Sequence, residues 1–258
     1  MRITVITATW NSAATVRDTF ESVLRQTHPD IDYVVVDGAS TDGTVDIIRE
    51  YEPRFGGRMR WISEKDHGLY DAMNKGLRMA QGEAVGILNS DDFYTAPDIL
   101  ERVSETLTRD GADAVYGDIH FVDDSDLTKC VRYYSSRHFR RWKMRIGYMP
   151  AHPSFYCRRE VYEKLGPFDT DFKVAADFEQ LLRFIFVNRI ATRYIARDFV
   201  TMRTGGLSTS GLQSWRAIYR DHMKAYKKNG VYSNFFLEML RYPFKAIELI
   251  QGKLGMKG

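Results

Sequence analysis

The alternation of strand signals and helix signals in the first half of the sequence limits the possible fold more than any other feature. Short runs of β-branched residues, of which residues 33–36 (YVVV) are the clearest, are each followed by a stretch with apolar residues at helical spacing. A strand that is apolar at every position is typical of a sheet that is covered on both faces. The alternation is typical of βαβ units, so we predict an α/β fold around a mostly parallel sheet.

The predicted elements can be placed along the chain. Strands are expected at residues 3–6, 33–36, 59–62, 84–88 and 113–116. Helices are expected after a cap at Asn11 or Ser12, at residues 44–51 and 69–80, and from Pro97 onward. Beyond residue 117 the alternation ends, and the pattern predicts a mixed half with a helix at about 176–187. Near the end, Ser233 is expected to cap a helix that is kinked around Pro243.

Composition and cysteine content restrict the class of protein. A chain of 258 residues with 44% hydrophobic and 28% charged residues is expected to fold as a globular domain rather than remain disordered. Cys130 and Cys157 do not have the spacing of a metal site or a disulfide framework, so a reducing compartment, the cytoplasm, is expected. The first residues enter a strand pattern at once, and no apolar run is long enough to span a membrane.

The charge is unevenly distributed. Residues 211–258 contain nine Lys and Arg residues and three Asp and Glu residues, whereas the rest of the chain is slightly acidic. A helix with Arg241, Lys245 and Lys253 can lie on anionic lipid as a peripheral contact, or it can pack against its own domain or a second subunit in a homodimer. A second basic cluster, residues 129–145, is either an irregular solvated stretch or a contact with an anionic acceptor or lipid. No nucleic acid partner is expected, because no known motif is present.

Polar residues follow three of the predicted strands at the point where each strand ends. The first strand is followed by Ala8-Thr9-Trp10-Asn11, the second ends at Asp37, and the fourth is followed by residues 89–92 (NSDD). Ligands of an open parallel sheet bind at the carboxyl ends of the strands, where the loops converge. The coincidence of three polar strand ends therefore predicts a binding site at this edge.

The segment Asn89-Ser90-Asp91-Asp92 is the strongest candidate for a metal site. Two adjacent acids after an apolar strand are costly unless they are solvated, hydrogen-bonded or neutralised by a cation. Magnesium is usually held by one or two carboxylates together with phosphate oxygens of a substrate. The alternative is that Asp92 or Thr95 caps the helix that follows.

Five segments together resemble the successive motifs of glycosyltransferase family 2. They are TATWNSAATVRDTFESVLRQ, VVVDGASTDGT, EKDHGLYDAMNKGLRMAQGE, ILNSDDFY and VAADFEQLLRF. The resemblance implies a GT-A fold, a nucleotide-sugar donor, a manganese or magnesium ion and inversion at the anomeric carbon. It implies a domain at 1–210, with a Rossmann-like nucleotide-sugar half at 1–117 and a mixed acceptor half at 118–210. Residues 211–258 are then a basic, amphipathic helical extension.

The resemblance also implies roles for individual residues on the donor side. Thr9 and Trp10, with Asn11 beside them, match positions that line the nucleobase pocket. Asp37 matches the acid that closes this pocket, and Asp66 matches a position near the nucleotide and the donor sugar.

Asp91 matches the metal-binding acid, and Asp177 matches the general base that takes the proton of the acceptor hydroxyl. Arg203, which precedes Gly205-Gly206, is expected to contact the diphosphate from a loop that closes over the donor. His152 and Asp92 are further candidates, the former either for acceptor contact or as a structural group.

The sequence departs from the common family pattern at three positions. Gly38 stands where many members have a second acid, Asn89 replaces the first acid of the Asp-x-Asp element, and Ala176 precedes the base in place of Glu. No Gln-x-x-Arg-Trp element of the processive members is present, so transfer of a single sugar in the assembly of bacterial surface polysaccharides is expected. The alternatives are an inactive subunit that binds nucleotide sugars and a membrane-surface adaptor.

Overall fold

A nine-stranded mixed sheet forms the centre of the computed structural model, which describes residues 1–204 and 211–243. The strand order is β3-β2-β1-β4-β8-β6-β9-β5, and β7 pairs with β6. The strands are β1 (Ile3–Thr9), β2 (Ile31–Asp37), β3 (Met59–Ser63), β4 (Ala84–Ile87), β5 (Phe93–Tyr94), β6 (Ala114–Asp123), β7 (Asp126–Tyr134), β8 (Tyr156–Arg158) and β9 (Thr192–Arg203). The helices are α1 (Val16–Leu24), α2 (Thr44–Tyr51), α3 (Leu69–Met79), α4 (Ile99–Asp110), α5 (Arg159–Leu165), α6 (Ala176–Leu181), α7 (Gly211–Lys228) and α8 (Phe235–Met239).

The first half of the sheet is parallel, as predicted. Strands β3, β2, β1 and β4 are neighbours in that order, and all of them run in the same direction. Every residue of β1 and β2 is buried, because α3 packs on one face of the sheet and α1 and α2 pack on the other. The register pairs Thr9 with Asp37 and Asp37 with Ser63, so the carboxyl ends of three strands lie side by side.

The second half of the sheet is mixed. Strand β8 is antiparallel to β4 and to β6, whereas β6 and β9 are parallel. The predicted strand at residues 113–116 is too short, because β6 continues to Asp123 and forms a hairpin with β7. Strand β7 and the end of β6 are largely half-buried or exposed, so this hairpin lacks the apolar run that marks the buried strands. The basic cluster therefore begins on a regular strand rather than in an irregular stretch.

Several helix predictions differ from the structure. The first helix was expected to follow a cap at Asn11 or Ser12, but α1 begins at Val16 and Thr15 is at its N-cap position. Pro97 does not open a helix, because its carbonyl oxygen accepts a hydrogen bond from the Thr27 backbone N–H at 2.8 Å, and α4 begins only at Ile99. The predicted helix at about 176–187 is present, but its second part, Leu182–Val187, is a π-helical turn.

The C-terminal helices pack on the second half of the sheet domain. Helix α7 contacts α6, and α8 contacts a short helical turn at Arg141–Ile146. The predicted cap Ser233 is wrong, because the Asn234 side chain accepts the hydrogen bond from the Leu237 N–H at 3.0 Å. Residues 244–258, with Lys245 and Lys253, lie outside the described residues. Within residues 1–204 and 211–243, no helix is both long enough and apolar enough to cross a membrane.

Candidate active site

The Asp37 carboxylate connects the carboxyl ends of three parallel strands. It is fully buried, and it accepts hydrogen bonds from Thr9 Oγ1 at 3.0 Å, Ser63 Oγ at 2.6 Å and the Ser40 N–H at 3.0 Å. The Ser40 hydroxyl is a fourth donor. Both carboxylate oxygens of Asp37 already have protein donors. Asp37 and Thr9 therefore support the predicted nucleobase pocket structurally.

Trp10 and Asp66 both lie next to Gly38, which follows Asp37 in the chain. A Cβ atom built on Gly38 would lie 2.5 Å from Asp66 Oδ2 and 3.4 Å from Trp10 Cδ1. The Asp66 carboxylate therefore fills the space in which a second acid at position 38 would begin. The Trp10 side chain is 69% exposed, so its ring is free to stack on a planar ligand.

Asn11 and Ser12 join the three polar strand ends, which were predicted to meet. The Asn11 N–H donates to Ser40 Oγ at 2.8 Å, and Asn11 Oδ1 accepts from the Thr41 N–H at 2.9 Å. The Asn11 φ angle of 49° is in the left-handed region, which asparagine tolerates better than most residues. The Ser12 and Ser90 hydroxyls are 2.8 Å apart, which links this loop to the segment that contains Asp91.

Asp92 is a buried acid with one unpaired oxygen. Its Oδ2 accepts a hydrogen bond from Asn89 Nδ2 at 2.9 Å, whereas Asp92 Oδ1 and Asn89 Oδ1 are buried and have no hydrogen-bond partner within residues 1–204 and 211–243. Burial, and then the neighbouring charge of Asp91, raises the pKa of Asp92 well above its usual value. Neither Asp92 nor Thr95 caps the helix that follows. Asp92 accepts its hydrogen bond from Asn89, and Thr95 Oγ1 donates to the Asp198 carbonyl instead.

Asp91 is a candidate ligand of a divalent metal ion whose coordination other groups would have to complete, because the described residues contain no set of three or more His, Cys, Asp or Glu side chains placed to hold one. Burial raises the pKa of the Asp91 carboxyl, and two unpaired acceptor oxygens lie on its neighbours Asn89 and Asp92. A hard cation next to these oxygens would satisfy them and would favour the ionised carboxylates. Asp91 is therefore the candidate ligand, with substrate phosphates expected to complete the coordination as they do in many magnesium sites.

Arg203 lies close to this acidic segment, but two carboxylates hold it. Its Nη1 donates to Asp124 Oδ1 at 2.7 Å and its Nη2 donates to Asp18, so the end of β9 is tied to α1. The Arg203 charge opposes the rise in the pKa of Asp91. The expectation of an arginine on an open loop is wrong for this structure, because the side chain is only 10% exposed. The predicted Gly205-Gly206 hinge lies outside the described residues.

Asp177 lies in the first turn of α6 and is half-buried. Its Oδ1 accepts a hydrogen bond from the Phe178 N–H at 2.8 Å and lies 3.3 Å from the Tyr70 hydroxyl, which is 2.7 Å from the Val174 carbonyl oxygen. Burial, and then the charge of Asp177, raises the pKa of Tyr70 well above its usual value, so this hydroxyl remains a donor. Tyr70 lies in the first turn of α3, only four residues after Asp66, which places the candidate base near the same edge as the donor pocket.

His152 is a buried neighbour of Asp177 rather than a residue of an open loop. Its ring packs against Phe168 with a centroid distance of 5.5 Å, and Phe168 stacks on Tyr70 at 5.7 Å. Burial lowers the pKa of His152, and the charge of Asp177 opposes this change only in part. At neutral pH the imidazole is therefore uncharged, and it forms part of the wall behind the carboxylate.

Residues 4–166 match the sequence profile described as Glycosyl transferase family 2. The chain belongs to glycosyltransferase family 2. Among its relatives is a PGL/p-HBAD biosynthesis glycosyltransferase of Mycobacterium tuberculosis, 30% identical over 192 residues, which are 74% of this chain and 72% of the relative. Another glycosyltransferase of M. tuberculosis is 31% identical over 207 residues, 79% of this chain and 76% of the relative.

Solved structures confirm the predicted GT-A fold. S. aureus TarS in complex with UDP-GlcNAc has a TM-score of 0.67 and 19% identity, with 86% of this chain and 66% of the TarS chain covered. The mannosyltransferase PcManGT of Pyrobaculum calidifontis, in complex with GDP-Man and Mn2+, has a TM-score of 0.62 and 20% identity, with 96% and 80% covered. This chain thus spans about two thirds of the TarS chain that it matches.

The C-terminal helices of this family 2 glycosyltransferase support the segment that contains Asp177. The Asp221 carboxylate on α7 accepts hydrogen bonds from the Val174 N–H at 3.0 Å and the Ala175 N–H at 3.2 Å. The His222 ring stacks on Phe178 at 3.8 Å. Sequence reasoning missed Asp221, because no local pattern connects it to residues that precede it by 46 positions or more. It also missed Tyr70, although Tyr70 lies within a motif that carries the resemblance.

Proposed function

We propose that the chain is an inverting, metal-dependent glycosyltransferase that moves one sugar from a nucleotide-diphosphate donor to a hydroxyl of a glycan or lipid-linked acceptor in polysaccharide biosynthesis. The observation that carries the proposal is the position of Asp177. It is half-buried, it lies within hydrogen-bonding reach of Tyr70, and it is connected through α3 to the edge that holds the donor pocket. This environment favours an active enzyme over a binding subunit without catalysis.

On the donor side, the Trp10 ring stacks on the nucleobase and the Asp66 carboxylate accepts a hydrogen bond from the base edge. Asp91, with the oxygens of Asn89 and Asp92 beside it, would hold a manganese or magnesium ion. Such an ion supplies positive charge that stabilises the departing diphosphate. The names of the similar structures, with bound UDP-GlcNAc and with GDP-Man and Mn2+, support this class of donor.

On the acceptor side, Asp177 takes the proton of the acceptor hydroxyl while its oxygen attacks the anomeric carbon. The new C–O bond forms on the face opposite the diphosphate, the bond to the diphosphate breaks, and the configuration inverts. Tyr70 positions the carboxylate, and the neutral His152 next to it adds no cation that would pair with it.

The acceptor is proposed to be linked to a lipid, which would bring the enzyme to a membrane as a peripheral protein. The cationic C-terminal residues support this proposal. The mycobacterial relatives named for PGL/p-HBAD biosynthesis are consistent with a glycolipid acceptor.

The test is a panel of UDP-, GDP- and dTDP-sugars, assayed with manganese for donor hydrolysis and for transfer. Asp177→Asn is expected to lower kcat by a factor of about 10² to 10⁴, with a nearly unchanged KM for the donor. The matched control is Asp171→Asn, which removes an exposed carboxylate from the loop before α6 and is expected to retain full activity. Full transfer by the Asp177 variant would show that another group is the base.

A further inference from the structure

An exposed apolar surface lies at α8. Among the described residues, eight large hydrophobic side chains are exposed, and four of them lie between residues 232 and 240. We call these four the α8 patch: Tyr232, Phe235, Phe236 and Leu240, which are 68%, 42%, 80% and 52% exposed. Such a concentration within nine consecutive residues, on α8 and beside its two ends, is unusual for a surface that faces only water.

The α8 patch belongs to an anchored helix. The Glu238 carboxylate on the opposite side of α8 is 1% exposed, and it accepts a hydrogen bond from the Tyr226 hydroxyl at 2.7 Å. His222 Nδ1 lies 3.0 Å from the same carboxylate, and Arg241 Nη1 lies 3.1 Å from it. Helix α8 thus turns its charged residue inward and its phenylalanines outward, which is the reverse of an ordinary surface helix.

Helix α7 contacts the α8 patch, because the Tyr219 ring packs edge-to-face on Phe235 at 5.8 Å. Its exposed charged side chains are cationic, although Lys228 is paired with Asp169. On α7, the exposed charged residues are all basic: Arg216, Arg220, Lys224, Lys227 and Lys228. The only acid of α7, Asp221, is buried. Arg145 donates from Nε to the Tyr232 carbonyl at 2.9 Å, which joins the patch to the turn where Arg141 and the 57% exposed Trp142 lie.

We propose that the α8 patch and its basic border form a docking surface for an anionic lipid bilayer. Aromatic side chains at the headgroup level, with basic residues around them, match the properties of such an interface. A second copy of the chain fits less well, because two copies meeting through this surface would bring their cationic helices together. The sequence continues from the patch with the same character, since residues 244–258 contain three lysines, one glutamate and several aliphatic residues. The proposal deepens the proposed membrane contact, and it does not depend on glycosyl transfer.

The test is sedimentation of the full chain with vesicles of phosphatidylglycerol and phosphatidylcholine in equal amounts, beside vesicles of pure phosphatidylcholine. Binding to the anionic vesicles is expected, and high salt should weaken it because screening acts on exposed charges. Phe236→Ser is expected to weaken binding by about tenfold, since it removes the most exposed phenyl ring from the interface. Arg220→Glu should weaken binding to anionic vesicles only.

Two control variants and one further measurement make the test decisive. Val187→Ser removes an exposed side chain outside the patch and Lys164→Glu reverses an exposed charge on α5, so both should bind like the unaltered chain. Circular dichroism establishes that each variant is folded. The proposal is overturned if the chain does not bind anionic vesicles, if the patch variants bind as well as the controls, or if Phe236→Ser only dissociates a dimer. A chain without transferase activity that still binds through the patch would refute the proposed function alone.

Discussion

The donor pocket around Asp37 and the segment around the proposed base, Asp177, which we call the base segment, are held in place in different ways. In the donor pocket, one fully buried carboxylate, Asp37, accepts four hydrogen bonds from adjacent strand ends. At the base segment, Asp177 is half-buried, and its nearest side-chain donor is 3.3 Å away. A pocket that must recognise a rigid nucleotide benefits from being built in advance, whereas a base needs a carboxylate that is free to accept a proton. The comparison predicts different responses to substitution in the two regions.

The largest expected effect is at Asp91, the proposed metal ligand on the donor side. Asp91→Asn should lower kcat/KM by a factor of about 10³, because the ion that stabilises the leaving diphosphate would be bound weakly. Manganese titrations of activity, and calorimetry of donor binding with and without manganese, measure this effect. Asp46→Asn, which changes an exposed side chain on α2, is the control. An Asp91 variant with the same manganese dependence as the unaltered enzyme would remove Asp91 from the metal site.

The next effect separates structural support from catalysis. Asp37→Ala should lower the free energy of unfolding by about 3 kcal/mol, because buried donors lose their acceptor. Asp177→Ala should lower it by less than about 1 kcal/mol, because this carboxylate is only half-buried. Urea denaturation of both variants tests the comparison, and equal losses would break it.

A smaller effect is expected at the positioning residue of the base segment. Tyr70→Phe should lower kcat by about tenfold and leave the KM for the donor unchanged, because the carboxylate loses a nearby donor while the nucleotide pocket stays intact. Tyr51→Phe is the control. It also removes a tyrosine hydroxyl, which donates at 2.8 Å to Oε1 of Glu21 on α1, and it should not change kcat. A rise in KM without a change in kcat would place Tyr70 on the donor side instead.

The smallest effect concerns Asp92 and pH. The pKa of Asp92 is raised in the folded chain, so its contribution to stability is largest below the usual range of a carboxyl, about pH 4, and declines as pH rises. Without metal, Asp92→Asn should therefore raise the free energy of unfolding by about 1 kcal/mol at neutral pH, and by less in acid. Thermal melts of the metal-free chain at several pH values measure the difference. A destabilising Asp92→Asn variant at neutral pH would contradict the account.

The contrast between the donor pocket and the base segment also explains which features of the fold and the site could be predicted from the sequence. Helix α2 was predicted with its observed bounds, and the meeting of the loops around Asn11, Asp37 and Asp91 followed from parallel strands that end in polar residues. The surroundings of Asp177 could not be predicted from local patterns, because Tyr70 and Asp177 are 107 residues apart and Asp221 is on a third segment. The resemblance identified the base as a candidate, but not the residues that hold it.

The central claim is that Asp177 and the diphosphate site act on opposite faces of one anomeric carbon. The most direct test is the configuration of the new glycosidic bond, which can be read by NMR spectroscopy of the product formed from an α-linked nucleotide sugar. The account predicts a β-linked product. An α-linked product would contradict it, because attack from the side of Asp177 could not then be the step that forms the bond.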